Sequence, residues 1–82
     1  MSKPVCLVTG VGPGTGSAIV RRFAGDYKVA MLARSADRLA DLAGELDDAH
    51  AFACDVTDNA ALDAVLDQVR AELGTPSVLV HN

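Results

Sequence analysis

Four short apolar runs alternate along the chain with three stretches of helical periodicity. Val5–Thr9 reads as a buried strand, and residues 15–24 follow as a helix with Ala18, Ile19 and Phe23 placed to face inward. Gly25 and Asp26 end that helix, and Lys28–Ala33 is a second strand. Ser35 is placed to cap a second helix, with Asp37 in its first turn where the helix dipole favours negative charge. Leu39, Leu42 and Leu46 recur in it at helical spacing. Residues 51–54 form a third strand, short and rich in small side chains. Thr57 is expected to cap a third helix, which carries the clearest stripe in the chain: Leu62, Val65, Leu66, Val69 and Leu73. Gly74, Thr75 and Pro76 stop it, and residues 77–80 make the fourth strand.

The order is therefore β-α-β-α-β-α-β. Continuous apolar strands between amphipathic helices imply an α/β fold, a parallel sheet covered on both faces. Right-handed crossovers favour the doubly wound dinucleotide-binding (Rossmann-type) arrangement with strand order 3-2-1-4. With 82 residues, one compact domain spanning residues 1–82 is the most the chain can form.

Composition and charge narrow the function classes. Half of the residues are hydrophobic and 4% aromatic, which excludes general disorder and suits close packing of helices on a sheet. The net charge of −4 and the scattered basic residues argue against nucleic acid as a partner. The apolar runs are far shorter than the roughly 20 residues of a membrane span, and the N-terminus lacks the pattern of a signal peptide, so the expected location is cytoplasmic. Cys6 and Cys54 fit neither a zinc site nor a redox pair. In a 3-2-1-4 sheet they lie two strands apart, about 9–10 Å, too far for a disulfide.

The chemistry sits in the loop Thr9-Gly10-Val11-Gly12-Pro13-Gly14-Thr15-Gly16, between the first strand and the first helix. A helix N-terminus there presents free backbone N–H groups and a positive dipole end, a good ligand for a pyrophosphate. Glycines permit the tight turn, the approach of phosphate to backbone, and close packing of helix on strand. The general G-x-G-x-x-G fingerprint is not met, whereas T-G-x-x-x-G-x-G is, at Thr9, Gly10, Gly14 and Gly16.

In that spacing the chain resembles the short-chain dehydrogenase/reductase family. The resemblance extends to Ala33-Arg34-Ser35 after the second strand, Asp55-Val56 after the third, and Val80-His81-Asn82, where the family typically reads Asn-Asn-Ala-Gly. Thr15 departs from the family's usual Ile, Gly12 and Pro13 occupy variable positions, and His81 replaces the first Asn of the fourth motif. The segment 11–16 also resembles the first motif of S-adenosylmethionine-dependent methyltransferases. That motif expects an acid two places before its first glycine, where Gly10 stands, and an acid at the end of the second strand, where Arg34 stands.

Arg34 selects the cofactor. An Asp or Glu at this place binds a ribose 2′-hydroxyl, and an Arg accommodates a 2′-phosphate. No acid occupies positions 31–36, Ser35 adds a hydroxyl and a backbone N–H, and Arg38 lies one turn on. The expected cofactor is NADP. The resemblance implies that Asp55 bonds the adenine amino group, that Val56 packs by the ring, and that Asn82 lies along the ribose. Gly10, Gly12, Gly14, Thr15, Gly16, Arg34, Ser35, Asp55, Val56 and Asn82 are thus the candidate cofactor-binding residues.

The same resemblance implies hydride transfer between nicotinamide and an alcohol or carbonyl, run by a Tyr-x-x-x-Lys pair. The single tyrosine, Tyr27, has Met31 four residues on, so no catalytic residue is assigned. His50, before the third strand at the opposite edge, reads as a surface residue. The chain looks like the first third of a family member, with a small-molecule substrate only in a full-length form. The bare edge of strand 4 and the uneven helix cover predict self-association. A non-catalytic nucleotide-binding module and, further off, a methyltransferase fragment are the alternatives.

Overall fold

A computed structural model describes residues 3–10, 15–34, 36–46 and 48–81. Among them β1 (Val5–Thr9), α1 (Thr15–Phe23), β2 (Lys28–Ala33), α2 (Ala36–Glu45), β3 (Ala49–Ala53), α3 (Asn59–Glu72) and β4 (Pro76–His81) alternate as expected. The strands form one parallel sheet in the order β3-β2-β1-β4. The Rossmann-type winding read from the alternation is the one observed.

Period-two alternation in the strands divides the core between the two faces. Cys6, Val8, Val29, Met31 and Ala49 point to one side and pack with Val20 of α1 and Leu39 and Leu42 of α2. Val5, Leu7, Ala30, Leu32 and Phe52 point to the other and meet Val65 and Val69 of α3, with Cys54 just past β3. Both cysteines are buried and free, and besides their separation across the sheet they lie on opposite faces of it. Burial pushes both thiols above their ordinary pKa, and the charges of Asp55 and Asp58 add to the effect at Cys54.

Several boundaries differ from the sequence reading for local physical reasons. The inward face of α1 is turned: Ala18 is exposed, Ile19 and Phe23 are half-buried, and Val20 is fully buried. β3 starts two residues earlier than expected, so His50 lies inside the strand rather than before it. Its partner β2 is longer at that end, and the Val29 N–H donates to the Asp48 carbonyl at 2.8 Å. Asp48 turns the chain there with φ 56°, and its carboxylate pairs with Lys3 at 2.6 Å. The Cys54 N–H still donates to the Ala33 carbonyl at 2.8 Å, one step beyond β3. β4 runs one residue further at each end than expected, from Pro76 to His81. Pro76 lacks an N–H and stands first, where the ladder loses least. Against β1 the register then jumps from Val5↔Pro76 to Cys6↔Val78, a bulge that leaves Ser77 as the extra residue.

The cap of α3 is Asp58, not Thr57. The Asp58 carboxylate accepts from the Ala60 and Ala61 N–H groups at 3.1 and 3.2 Å. Thr57 is already engaged by Asp55, one residue too early to serve the helix. Asp58→Ala is expected to cost about 1 kcal/mol, the usual worth of a side-chain N-cap, read as a lower urea midpoint. At the other end Gly74 adopts φ 119° and its N–H returns to the Val69 carbonyl at 3.1 Å, closing α3.

The cover of the two faces is uneven, as the element order implied. α1 and α2 lie over one face and α3 alone over the other. Beside α3, a groove of about 430 Å³ runs between Leu62, Leu66 and Arg70 and the sheet residues Leu7, Thr9 and Leu79. Leu79 on β4, at the edge of the sheet, is 65% exposed.

Candidate nucleotide site at the carboxyl ends of the strands

Parallel pairing brings the ends of all four strands to one edge. Thr9 pairs with Leu32 on one side and His81 on the other, and Ala33 pairs with Ala53. Gly10 and Arg34, directly after β1 and β2, and Asp55, two residues past β3, therefore come to the same rim. The chain winds from β1 outward to β3, then returns to add β4 on the far side of β1. In open α/β sheets ligands bind outside the carboxyl ends at such a reversal, which here lies between β1 and β4.

Gly10 follows β1 with φ 67°, a left-handed conformation that glycine adopts at little cost. Five residues on, Thr15 opens α1, followed by Gly16. A helix N-terminus that follows a strand end in this way suits an anion. Gly12 and Gly14, assigned to phosphate from the sequence, lie outside the described residues, as do Ser35 and Asn82.

Arg34 stands directly after β2, with its side chain 77% exposed. Its Nε is 3.8 Å from Asp55 Oδ1. The same oxygen accepts the Thr57 hydroxyl at 2.6 Å and the Thr57 N–H at 3.0 Å. These two hydrogen bonds, the hydroxyl's first, and then the positive charge of Arg34 hold the Asp55 carboxyl below the ordinary carboxylate range. The carboxylate of Asp55 is thus held in place by Thr57. Val56 is half-buried and lines the apolar groove beside Leu62 and Leu66. The structure therefore joins Arg34 and Asp55, which the sequence placed on separate strands. It adds Thr57, which sequence reading spent on a helix cap. The missed signal was local: an Asp followed two residues later by a residue with N–H and O–H donors is the pattern of an Asx turn.

The residues set aside from catalysis stand apart from this rim. Tyr27, ahead of β2, packs edge-on against Phe23 with ring centroids 5.4 Å apart and planes at 73°. His50 sits at the amino end of β3, its Nε2 4.0 Å from Asp48 Oδ1. Among the described residues no three His, Cys, Asp or Glu side chains gather as a metal site, and no helix is long and apolar enough to cross a membrane.

Comparison with known proteins agrees with this geometry. The family model described as short chain dehydrogenase matches residues 4–82. D-threitol dehydrogenase of Mycolicibacterium smegmatis is 39% identical over 83 residues, covering 95% of this chain and 32% of that protein. The chain spans about a third of the length of the curated relatives it matches. Among solved structures, a variant of actinorhodin polyketide ketoreductase with NADPH is 31% identical with a TM-score of 0.91, covering 100% of this chain and 34% of that one. A 3-ketoacyl-(acyl-carrier-protein) reductase from Brucella melitensis, complexed with NADH, is 34% identical with a TM-score of 0.86, over 95% of this chain and 33% of that one.

Proposed function

The chain belongs to the short chain dehydrogenase family, and we propose that it is the NADP(H)-binding N-terminal part of an oxidoreductase that moves hydride between nicotinamide and an alcohol or carbonyl substrate. The observation that carries this reading is Arg34: an exposed guanidinium directly after β2, at the same rim as Gly10. A planar fork of donors suits a 2′-phosphate, and no carboxylate stands at that place to bind a bare ribose hydroxyl. Among the described residues, Gly10, Arg34 and Asp55 reach the same rim with charges and backbone suited to the cofactor. Gly10, Gly12, Gly14, Thr15 and Gly16 would cradle the pyrophosphate, Arg34 and Ser35 the 2′-phosphate. Asp55 and Val56 would flank the adenine, and Asn82 the ribose. The chemistry that NADP(H) supplies is a hydride given or taken at its nicotinamide ring. The chain's own residues hold and orient it, since the Tyr-x-x-x-Lys pair is not in the 82 residues.

Titration of the chain with NADPH, NADH and S-adenosylmethionine, followed by calorimetry, tests the reading. NADPH is expected to bind most tightly. Equal or tighter binding of NADH would remove the assignment of Arg34. Preferential binding of S-adenosylmethionine would replace the oxidoreductase with a methyltransferase fragment, at odds with the absence of an acid at the end of β2.

A further inference from the structure

We propose that Thr57 is a positioning residue for cofactor choice: it locks Asp55, and Asp55 in turn aims Arg34. The inference rests on the NADP reading above and assigns a role to a residue that reading leaves out. Its basis is the convergence on one atom. Asp55 Oδ1 accepts the Thr57 hydroxyl at 2.6 Å and the Thr57 N–H at 3.0 Å, and it forms an ion pair with Arg34 Nε, 3.8 Å away.

The orientation of that contact matters. Arg34 meets the carboxylate through Nε, the inner edge of the guanidinium. The two terminal amino groups therefore remain at the outer end of the side chain, the end that presents paired donors to a phosphate. A long arginine that is 77% exposed would otherwise sample many rotamers. Restraining it before the ligand arrives lowers the entropy lost on binding. A carboxylate on an exposed loop performs this service only if it is itself fixed. The two Thr57 hydrogen bonds fix it.

The test compares NADPH and NADH binding to the chain, its Thr57→Val and Thr57→Ser variants, and both Arg34→Ala and the Arg34→Ala/Thr57→Val pair. Thr57 is exposed, so folding is checked simply, by far-ultraviolet circular dichroism of each variant. Thr57→Val is expected to lower the preference for NADPH over NADH roughly three- to tenfold, the effect of one lost hydrogen bond. Thr57→Ser, which keeps the hydroxyl, should bind as the parent does. With Arg34 already removed, Thr57→Val should have no further effect on that preference. The inference is overturned if Thr57→Val leaves the ratio of the two affinities unchanged while Arg34→Ala lowers it. An equal fall in that ratio on Thr57→Val with and without Arg34 also overturns it. If Arg34→Ala itself leaves the ratio unchanged, the NADP reading fails first, and the role of Thr57 with it.

Discussion

Arg34→Asp is expected to abolish any preference of the chain for NADPH over NADH. The Arg34 side chain is largely exposed, so the substitution removes a cation without opening the core. Hydrogen bonds to charged groups are worth about 1.5–3 kcal/mol, so NADPH binding should weaken by roughly 10- to 150-fold. The introduced carboxylate stands where an acid accepts from a ribose 2′-hydroxyl, so NADH binding should hold or improve. It also faces Asp55, and like charges at that distance add to the loss for an anionic ligand. Fluorescence titration with the two reduced cofactors measures the ratio directly. A variant that still favours NADPH would show that the 2′-phosphate is held elsewhere.

Met31→Ala is expected to have the largest effect on stability. Met31 is fully buried in the middle of β2, level with Val8 on one side and Ala51 on the other. It sits among Cys6, Val20, Val29 and Leu39, where α1 and α2 meet the sheet. Truncating a buried methionine costs about 2–5 kcal/mol. A domain's whole stability is about 0.05–0.15 kcal/mol per residue, so for a chain of 82 residues the loss consumes much of it. Urea denaturation followed by circular dichroism should show a large fall in midpoint, or a chain unfolded at the outset. Leu79→Ala offers the contrast. Leu79 is largely exposed at the sheet edge, and its truncation should change stability by less than about 0.5 kcal/mol.

Much of this architecture was legible in the sequence because each strand is a short apolar run between turn residues. β1 and β2 agree with the reading to the residue, since Val, Cys, Leu, Ala and Met side chains are buried on both faces. β3 was read short because its first residues, Ala49 and His50, carry no strong apolar signal. It is backbone pairing with the longer β2 that extends it. α1 was misoriented by Ala18, a small residue that fits either face, while Val20 takes the buried position. The α3 stripe was clear, and Val65 and Val69 are buried as it implied.

For the site, the sequence identified the individual groups but not their connection. Arg34 and Asp55 lie 21 positions apart, and only the register of β2 against β3 brings their side chains together. Thr57 and Asp58 both qualify as helix caps by residue type. The choice between them is made by Asp55, which engages Thr57 and leaves Asp58 to the helix.

The division of the core into two faces gives the chain a pair of built-in reporters. Cys6 lies beneath α1 and α2, and Cys54 beneath α3. Because the thiolate is the reactive form and burial disfavours it at both positions, a thiol reagent gains access only when the covering layer opens. The labelling rate at each cysteine thus clocks the opening of one helical layer independently of the other. A cofactor that fastens α1 to the rim would slow one clock, and whether the second slows with it would reveal how far the two halves of the molecule breathe together.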